Sequence, residues 1–260
     1  MTSISIIMPS FNSEEHISET INSIISQTFK DWELIIVDDY SKDKTIKIIE
    51  EYTEKDKRIS LIKLESNFGG PAKPRNIGIK KSKSDVIAFC DSDDVWHKKK
   101  LEIQFDVLKK NEAVLVATKS KNFKNLENLY FKKINTEFIA LNKKRILYRN
   151  GILNSSVLVL KRAILACGKF SEDSDLIAVE DYDMWLKISK LNEKMILLKS
   201  ELTGYRVLEN SLSNKKIKRI KKFLLIYKNY HYDDDRKFIK FLTYFNLVVF
   251  SFFWIIGKTK

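Results

Sequence analysis

A regular alternation between short apolar runs and helical patterns is the feature that most constrains how the first 120 residues can fold. Ile4–Met8, Leu34–Val37 and Val86–Phe89 are rich in strand-forming residues, and the last two are uninterrupted apolar runs. Between the first two and directly after the second, Glu14–Ser26 and Lys44–Tyr52 carry isoleucines at helical spacing. Buried apolar strands that alternate with helices are typical of a doubly wound, mostly parallel sheet. The sequence therefore predicts the α/β fold class.

The remaining elements follow from the same patterns. In the first 120 residues they are the strands Ile59–Leu64 and Ala113–Thr118 and the helices Ala72–Lys81 and His97–Lys110. The later, less regular part is predicted to contain the strands Ser155–Leu160, Lys194–Leu198 and Thr203–Val207 and the helix Asp181–Leu191. We expect one domain built from two halves, 1–120 and 121–212, followed by a helical tail at 213–260.

Much of the chain's positive charge lies in that tail. The formal net charge is +13, and residues 213–260 hold 12 Lys or Arg against 3 Asp. A basic cluster at Lys215–Lys222 precedes an uncharged aromatic run at Phe241–Gly257. This combination favours a segment lying on an anionic membrane surface, although packing against the protein stays open. The nearly balanced body argues against a nucleic acid partner.

Cysteine usage and the N-terminal residues indicate the compartment. Cys90 and Cys167 provide no disulfide framework, and no secretory signal precedes the first predicted strand. We therefore expect a cytoplasmic protein that sits peripherally on the inner face of the plasma membrane through its basic tail.

Carboxylates follow two of the predicted strands and open a later helix. Asp38 and Asp39 end the second strand, while Asp91 and Asp93 come just after the fourth. In open α/β sheets, ligands bind at the carboxyl edge of the strands. Hard oxygen ligands suit Mg²⁺ or Mn²⁺, which proteins often hold with one or two carboxylates plus the phosphates of a substrate. These positions predict a metal-assisted diphosphate site.

A glycine-containing loop, Asn67–Gly78, adds a phosphate-binding signal. Gly69 and Gly70 allow close approach of the backbone to a ligand, and a helix N-terminus follows. Arg75 offers bidentate donors, so we expect it to contact the diphosphate. The chain lacks G-x-G-x-x-G after its first strand and lacks G-x-x-x-x-G-K-[ST], which argues against dinucleotide oxidoreductases and P-loop NTPases.

In order and spacing, these motifs resemble those of the inverting family 2 glycosyltransferases of the GT-A fold. The resemblance rests on Pro9-Ser10-Phe11-Asn12, the run Val37 to Asp43, the loop Asn67 to Gly78, Asp91-Ser92-Asp93-Asp94 and Glu180-Asp181. It implies a nucleotide-diphosphate sugar donor, bound by the first half, and a Mg²⁺ or Mn²⁺ cofactor. The second half would bind the acceptor and carry the catalytic base.

The resemblance also implies roles for single residues. Asp93 would bind the metal, and Asp181 would be the general base, with Asp183 as a rival. The donor site would comprise Pro9, Phe11 and Glu14 beside the nucleotide, Asp39 accepting a hydrogen bond from the base, Asp91 near the ribose, and Arg75 and Ser92. Tyr40 and Pro74 depart from the residues usual in the family, which leaves the local turn and the helix start open. Arg206 is a further candidate contact of the diphosphate.

We expect transfer of a hexose or an N-acetylhexosamine from a UDP-sugar to a lipid-diphosphate-linked glycan. Such a reaction belongs to bacterial O-antigen or capsule assembly. Two alternatives remain at this level: a nucleotidyltransferase that makes sugar nucleotides, and a non-catalytic module that binds nucleotide and metal.

Overall fold

The computed structural model describes residues 3–148 and 151–208, together with the isolated positions 222, 225 and 226. The helices of this part are α1 Ile17–Ile25, α2 Thr45–Lys55, α3 Ala72–Lys81, α4 Lys100–Lys110, α5 Lys143–Tyr148, α6 Lys161–Ala166 and α7 Glu180–Ser189. Its strands are β1 Ile4–Ser10, β2 Trp32–Asp38, β3 Ile59–Lys63, β4 Val86–Phe89, β5 Val95–Trp96, β6 Leu115–Phe123, β7 Phe138–Leu141, β8 Leu158–Leu160 and β9 Met195–Arg206.

These strands form one mixed sheet in the order β3-β2-β1-β4-β8-β6-β9-β5, with β7 also paired to β9. The first four strands in that order are mutually parallel, as predicted. The later strands β5, β7 and β8 pair antiparallel, whereas β6 and β9 are parallel to each other. The predicted α/β class is therefore confirmed, with a parallel first half and a mixed second half.

Helices cover both faces of the parallel strands. On one face, apolar residues of α1, α2 and α4 form one cluster with alternate side chains of β1 and β2, and α4 itself lies against β6 and β8. On the other face, α3 crosses β1 so closely that a Cβ added at Gly78 would lie 2.5 Å from Cγ2 of Ile7. Helix α7 also packs here, because the ring centroid of Trp185 lies 6.2 Å from that of Phe89. Burial on both faces explains why these strands are almost entirely apolar.

Several boundaries differ from the predicted ones. Helix α1 begins at Ile17 rather than at Glu14, because residues 14–16 form a turn. Ser155 and Ser156, predicted to open a strand, belong with Asn154 to a 3-10 turn, and β8 begins only at Leu158. The two strands predicted within 194–207 are one continuous strand, β9. Strand β5 has only two residues and is defined by its pairing with β9, so no sequence pattern announced it.

The chain divides into two compact units, residues 1–209 and residues 210–260. Among the described residues, no helix has both the length and the apolar character needed to cross a membrane. The predicted helical tail, with its basic cluster and its run Phe241–Gly257, falls almost entirely outside the described residues.

Candidate active site

The carboxyl ends of β1 and β2 meet at one edge of the sheet. Ser10 lies opposite Asp38 in the parallel register, and its Oγ donates to Oδ2 of Asp38 at 2.9 Å. Ser41 donates to the same carboxylate twice, from its backbone N at 2.8 Å and from its Oγ at 2.6 Å. Asp38 is fully buried, so it fixes the turn after β2 and is not available to a ligand.

The carboxylate of Asp39 holds the glycine-containing loop against this edge. Its Oδ1 and Oδ2 accept from the backbone N of Phe68 at 3.0 and 3.2 Å, and its carbonyl accepts from Nδ2 of Asn67. Burial raises the pKa of Asp39, while the N–H groups of Phe68 and Gly69 oppose that shift. Asp39 therefore positions the loop, and its predicted contact with a nucleobase stays a prediction.

The residues expected beside the nucleotide differ in accessibility. Pro9 is buried within β1, whereas the ring of Phe11, just past the strand, is 48% exposed. Glu14 is exposed, and its Oε2 accepts from the backbone N of Lys44 at 2.8 Å. Tyr40, shortly after β2, is exposed and has φ +70°, a left-handed conformation in which glycine would carry less strain.

Arg75 joins the two halves of the site. Its Nη2 donates to Oδ1 of Asp91 at 2.7 Å, and its Nη1 donates to Oε1 of Glu180 at 2.5 Å. The arginine and Glu180 are both buried. Nearby carboxylates raise the pKa of Arg75 further although burial opposes this, so the group stays charged. Its forked donors are thus directed at protein carboxylates, and a contact with diphosphate stays a prediction.

Asp91, just after β4, contacts residues from the second half of the chain. Its Oδ1 also accepts from Nδ2 of Asn154 at 3.2 Å, and its backbone N donates to Oγ of Ser155 at 3.0 Å. The side chain of Asp91 remains 30% exposed. Next to it, the hydroxyl of Ser92 lies 2.7 Å from that of Ser13. The carboxylate is therefore held in place while one side faces solvent.

Helix α7 places Asp181 beside this network. Its first residue is Glu180, the partner of Arg75, and the next is Asp181, whose side chain remains partly exposed. Burial is the main cause that raises the pKa of Asp181 to about 7, and the charge of Glu180 adds to it, while Arg75 opposes the shift. A carboxylate with such a pKa is suited to accept a proton near neutral pH.

A second arginine, Arg206, holds the backbone of residues 91–94, here called the acidic motif. Nε of Arg206 donates to the carbonyl of Asp93 at 2.9 Å, and its backbone N donates to Oδ1 of Asp94 at 3.0 Å. Its guanidinium also contacts Glu19 and donates to the carbonyl of Lys124. Arg206 is buried and acts as a clamp for the motif, which differs from the predicted contact with the diphosphate.

The donor set suits a divalent cation that shares its coordination with a substrate. Burial, reinforced by the charge of Asp91, raises the pKa of Asp93 to about 6, so a bound cation would favour its ionised form. Among the described residues, no cluster of three or more His, Cys, Asp or Glu could hold a metal without further ligands. Two carboxylates with oxygen donors fit Mg²⁺ or Mn²⁺ when a diphosphate completes the coordination.

Several residues of the site escaped the sequence analysis. Asn154 and Ser155 both hold Asp91, but Asn154 lies just before the predicted strand Ser155–Leu160 and Ser155 is its first residue. Glu19, which pairs with Arg206, looked like an ordinary helix residue. Ala178 adopts φ +70° two residues before α7, where a non-glycine residue gives no warning of a left-handed turn. The polar triplet at 154–156 was the one usable signal, since three polar residues in a row do not suit a buried strand.

Comparison with known proteins matches this arrangement to one family. The model described as Glycosyl transferase family 2 matches residues 5–167. The chain is 34% identical over 224 residues to the UDP-Glc:alpha-D-GlcNAc-diphosphoundecaprenol beta-1,3-glucosyltransferase WfgD of Escherichia coli. That match covers 84% of this chain and 83% of WfgD.

A second relative has a solved structure. The poly(ribitol-phosphate) beta-N-acetylglucosaminyltransferase TarS of Staphylococcus aureus is 31% identical over 205 residues, which cover 75% of this chain but only 35% of TarS. The crystal structure of TarS 1–349 in complex with UDP-GlcNAc matches with a TM-score of 0.71 and 26% identity, over 86% of this chain and 65% of that one.

A more distant structure supports the fold alone. The mannosyltransferase PcManGT of Pyrobaculum calidifontis, in complex with GDP-Man and Mn²⁺, matches with a TM-score of 0.68 at 15% identity. The match covers 87% of this chain and 63% of that one. With these matches, the GT-A architecture implied by the motifs is confirmed.

Proposed function

The chain belongs to glycosyl transferase family 2, and from this premise we propose that it is a metal-dependent, inverting enzyme that transfers a sugar from UDP to a lipid-linked glycan. The observation that supports this most strongly is the bridge made by Arg75. The bridge connects Asp91 of the acidic motif to Glu180, the neighbour of Asp181. Arg75 thus joins a carboxylate proposed for the donor side to the neighbour of the carboxylate proposed as the base.

In the proposed reaction, Asp181 acts as general base. The acceptor hydroxyl oxygen attacks the anomeric carbon, the bond from that carbon to the diphosphate oxygen breaks, and the hydroxyl proton passes to the carboxylate of Asp181. The nucleoside diphosphate leaves with the bonding electrons. A single displacement inverts the anomeric configuration and needs no covalent nucleophile. Burial supports this role, because it raises the pKa of Asp181 towards the operating pH.

The leaving diphosphate gains negative charge, which the site must stabilise. Asp93, supported by Asp91, would hold a Mn²⁺ or Mg²⁺ ion there. When bound, the ion would neutralise part of the diphosphate charge. Arg206 keeps the backbone of Asp93 in place through its hydrogen bond to the carbonyl, so the carboxylate is presented from a fixed turn.

The relatives motivate the choice of donor and acceptor. WfgD is named for UDP-Glc and a diphosphoundecaprenol-linked sugar, and TarS is named for a polymer of ribitol phosphate. We propose a UDP-hexose or UDP-N-acetylhexosamine donor and a lipid-diphosphate-linked acceptor used in surface polysaccharide synthesis, such as O-antigen or capsule. An acceptor of this kind would place the enzyme on the inner face of the plasma membrane.

The test is release of nucleoside diphosphate from a panel of sugar nucleotides, measured with Mn²⁺ and with EDTA. We expect one UDP-sugar to be turned over only with metal, and Asp93→Ala to lose that turnover. Asp181→Asn should keep UDP binding but lose transfer to an acceptor, because it removes only the proton acceptor. Asp183→Asn serves as the matched control and should retain transfer.

Two results would count against the proposal. Turnover that persists in EDTA, or in Asp93→Ala, would remove the metal from the mechanism. Binding of UDP without turnover of any sugar nucleotide would favour a non-catalytic binding module instead.

A further inference from the structure

The first compact unit, residues 1–209, is here called the main unit. Its positive charge is concentrated in residues 119–145, here called the basic segment. It contains eight Lys or Arg against two Glu, a net charge of +6. The remainder of residues 1–208 contains 27 Lys or Arg against 28 Asp or Glu, a net charge of −1. The basic segment therefore has an excess of positive charge that the rest of the unit does not share.

Much of this charge is available to a ligand. Lys124, Lys132 and Lys133 are exposed, and none of them pairs with a carboxylate of the described residues. Lys121 lies over the ring of Tyr130, with its Nζ 5.6 Å from the ring centroid. Cations without partners on a surface attract anions without first having to break an internal ion pair.

Apolar side chains are exposed among these lysines. Tyr130 is 67% exposed, and Leu126 and Phe138 are also exposed. Large apolar side chains at the surface, close to charged ones, are a feature of sites that bind partners or ligands. The basic segment thus offers cations for the phosphate of a phosphorylated lipid and apolar side chains for its hydrocarbon chain.

The basic segment meets the candidate active site where the chain leaves β6. At one end, Nη1 of Arg206 donates to the carbonyl of Lys124 at 3.3 Å, while Nε of the same guanidinium donates to the carbonyl of Asp93. Just past the other end, the hydroxyl of Tyr182 donates to the carbonyl of Leu147 at 3.4 Å. Between these two contacts, residues 124–137 connect β6 to β7 at the carboxyl edge of the sheet, because β6 runs parallel to β4 and β7 pairs antiparallel to β9.

We propose that the basic segment binds the diphosphate and the first prenyl units of the lipid-linked acceptor. This inference rests on the proposed function and specifies where the acceptor is held. The donor diphosphate is proposed to bind with the metal at Asp93, and the acceptor diphosphate would bind further along residues 124–137, where Lys132 and Lys133 are exposed. The lysines would contact the phosphates, and Leu126 and Tyr130 would contact the prenyl chain.

The test measures binding of geranyl diphosphate by calorimetry while UDP and Mn²⁺ saturate the donor site. The test variant replaces Lys124, Lys132 and Lys133 by Gln. The matched control replaces Lys47, Lys55 and Lys57 by Gln; these lysines are also exposed and lie in or beside α2, which packs on β3 at the far end of the sheet. We expect the test variant to bind geranyl diphosphate about tenfold more weakly or worse, since three surface charge contacts are lost. UDP affinity should be unchanged in both variants.

A second variant separates the apolar contribution. Leu126→Ser with Tyr130→Ser should weaken geranyl diphosphate several-fold and leave inorganic diphosphate unaffected, because only the prenyl chain loses contacts. Equal weakening of both probes would contradict the assigned contacts of these two side chains.

Other outcomes would overturn the inference. These are no binding of geranyl diphosphate to the unmodified chain, the same loss in the control variant, or a parallel loss of UDP affinity. A lysine variant that loses only its binding to phosphatidylglycerol vesicles would instead identify a membrane contact. Failure of the chain to bind UDP at all would count against the proposed function. Binding of geranyl diphosphate, measured separately, would still decide whether the basic segment binds a prenyl diphosphate.

Discussion

At the scale of single residues, the site depends on how Arg75 divides its hydrogen bonds. One side of its guanidinium holds Asp91, which stays partly exposed, and the other holds Glu180, which is buried. A buried carboxylate that loses its partner costs about 3–5 kcal/mol. The bridge therefore ties the acidic motif to helix α7, and neither carboxylate can move without disturbing the other.

The pKa of Asp181 leads to a prediction about pH. In the proposed mechanism Asp181 is the base, and a base works only when it is ionised. Transfer should therefore fall as the pH drops below about 7, the raised pKa of this carboxyl. Glu180→Gln removes a negative charge that raises this pKa and leaves Arg75, which lowers it. The acidic limb of the kcat/KM profile should therefore move to lower pH in Glu180→Gln.

The control for this profile is Asp183→Asn. Asp183 forms an ion pair with Lys187 at 2.7 Å and is not among the main causes that shift Asp181. The acidic limb of the kcat/KM profile of Asp183→Asn should coincide with that of the unmodified chain. A limb that moves in Asp183→Asn and stays in Glu180→Gln would assign the base to Asp183.

At the scale of elements, the contact between α3 and β1 positions both Arg75 and the glycine-containing loop. Gly78 faces Ile7, and no Cβ fits between the helix and the strand, since it would come within 2.5 Å of Cγ2 of Ile7. Interiors pack too densely to absorb an extra methyl group without movement. The close approach therefore sets how far α3 lies from the sheet.

Gly78→Ala should lower the free energy of unfolding by about 1–2 kcal/mol, because overpacking outweighs the better helix propensity of alanine. Urea unfolding measures this change. In a double-mutant cycle with Ile7→Ala, which removes the obstructing methyl group, the two effects should be coupled by about 1 kcal/mol or more. Additive effects would show that the helix moves away without cost.

The elements that could be predicted are those whose pattern is local. Helix Ala72–Lys81 and strand Val86–Phe89 have the predicted bounds. Pro74, which is tolerated only in the first turn of a helix, marks the start of the helix, and an uninterrupted apolar run marks the strand. Strand β5 was missed because it exists only through hydrogen bonds with Thr203 and Gly204, more than 100 residues away. Non-local pairing of this kind leaves no mark in a short window of sequence.

The same distinction applies to the site. The strand-end positions of Asp38 and Asp91 were predictable, because apolar runs locate the sheet edge. The partners of those carboxylates were not. The side chain of Asp38 is buried and accepts hydrogen bonds from Ser10 and Ser41, whereas that of Asp91 stays partly exposed. The sequence could not predict this difference, because it depends on which side chains the fold brings together.

At the scale of the whole molecule, the tail at 213–260 leads to a further prediction. If its basic cluster binds anionic lipid, its removal should sharply reduce sedimentation with vesicles containing phosphatidylglycerol, while UDP affinity is retained because the donor-side residues lie within 1–209. Neutral phosphatidylcholine vesicles are the control and should bind both forms weakly. Unchanged sedimentation after truncation would remove the tail from membrane attachment.

Strand β9 comes late in the chain yet completes a motif made early. It pairs with β5, directly after the acidic motif, and its last residue, Arg206, holds Asp93. During translation, the first 120 residues leave the ribosome well before β9 has been synthesised. A nascent chain therefore carries the Asp93 turn without its hydrogen bond to Arg206 until residue 206 has emerged, so the acidic motif reaches its final geometry only after β9 has been made.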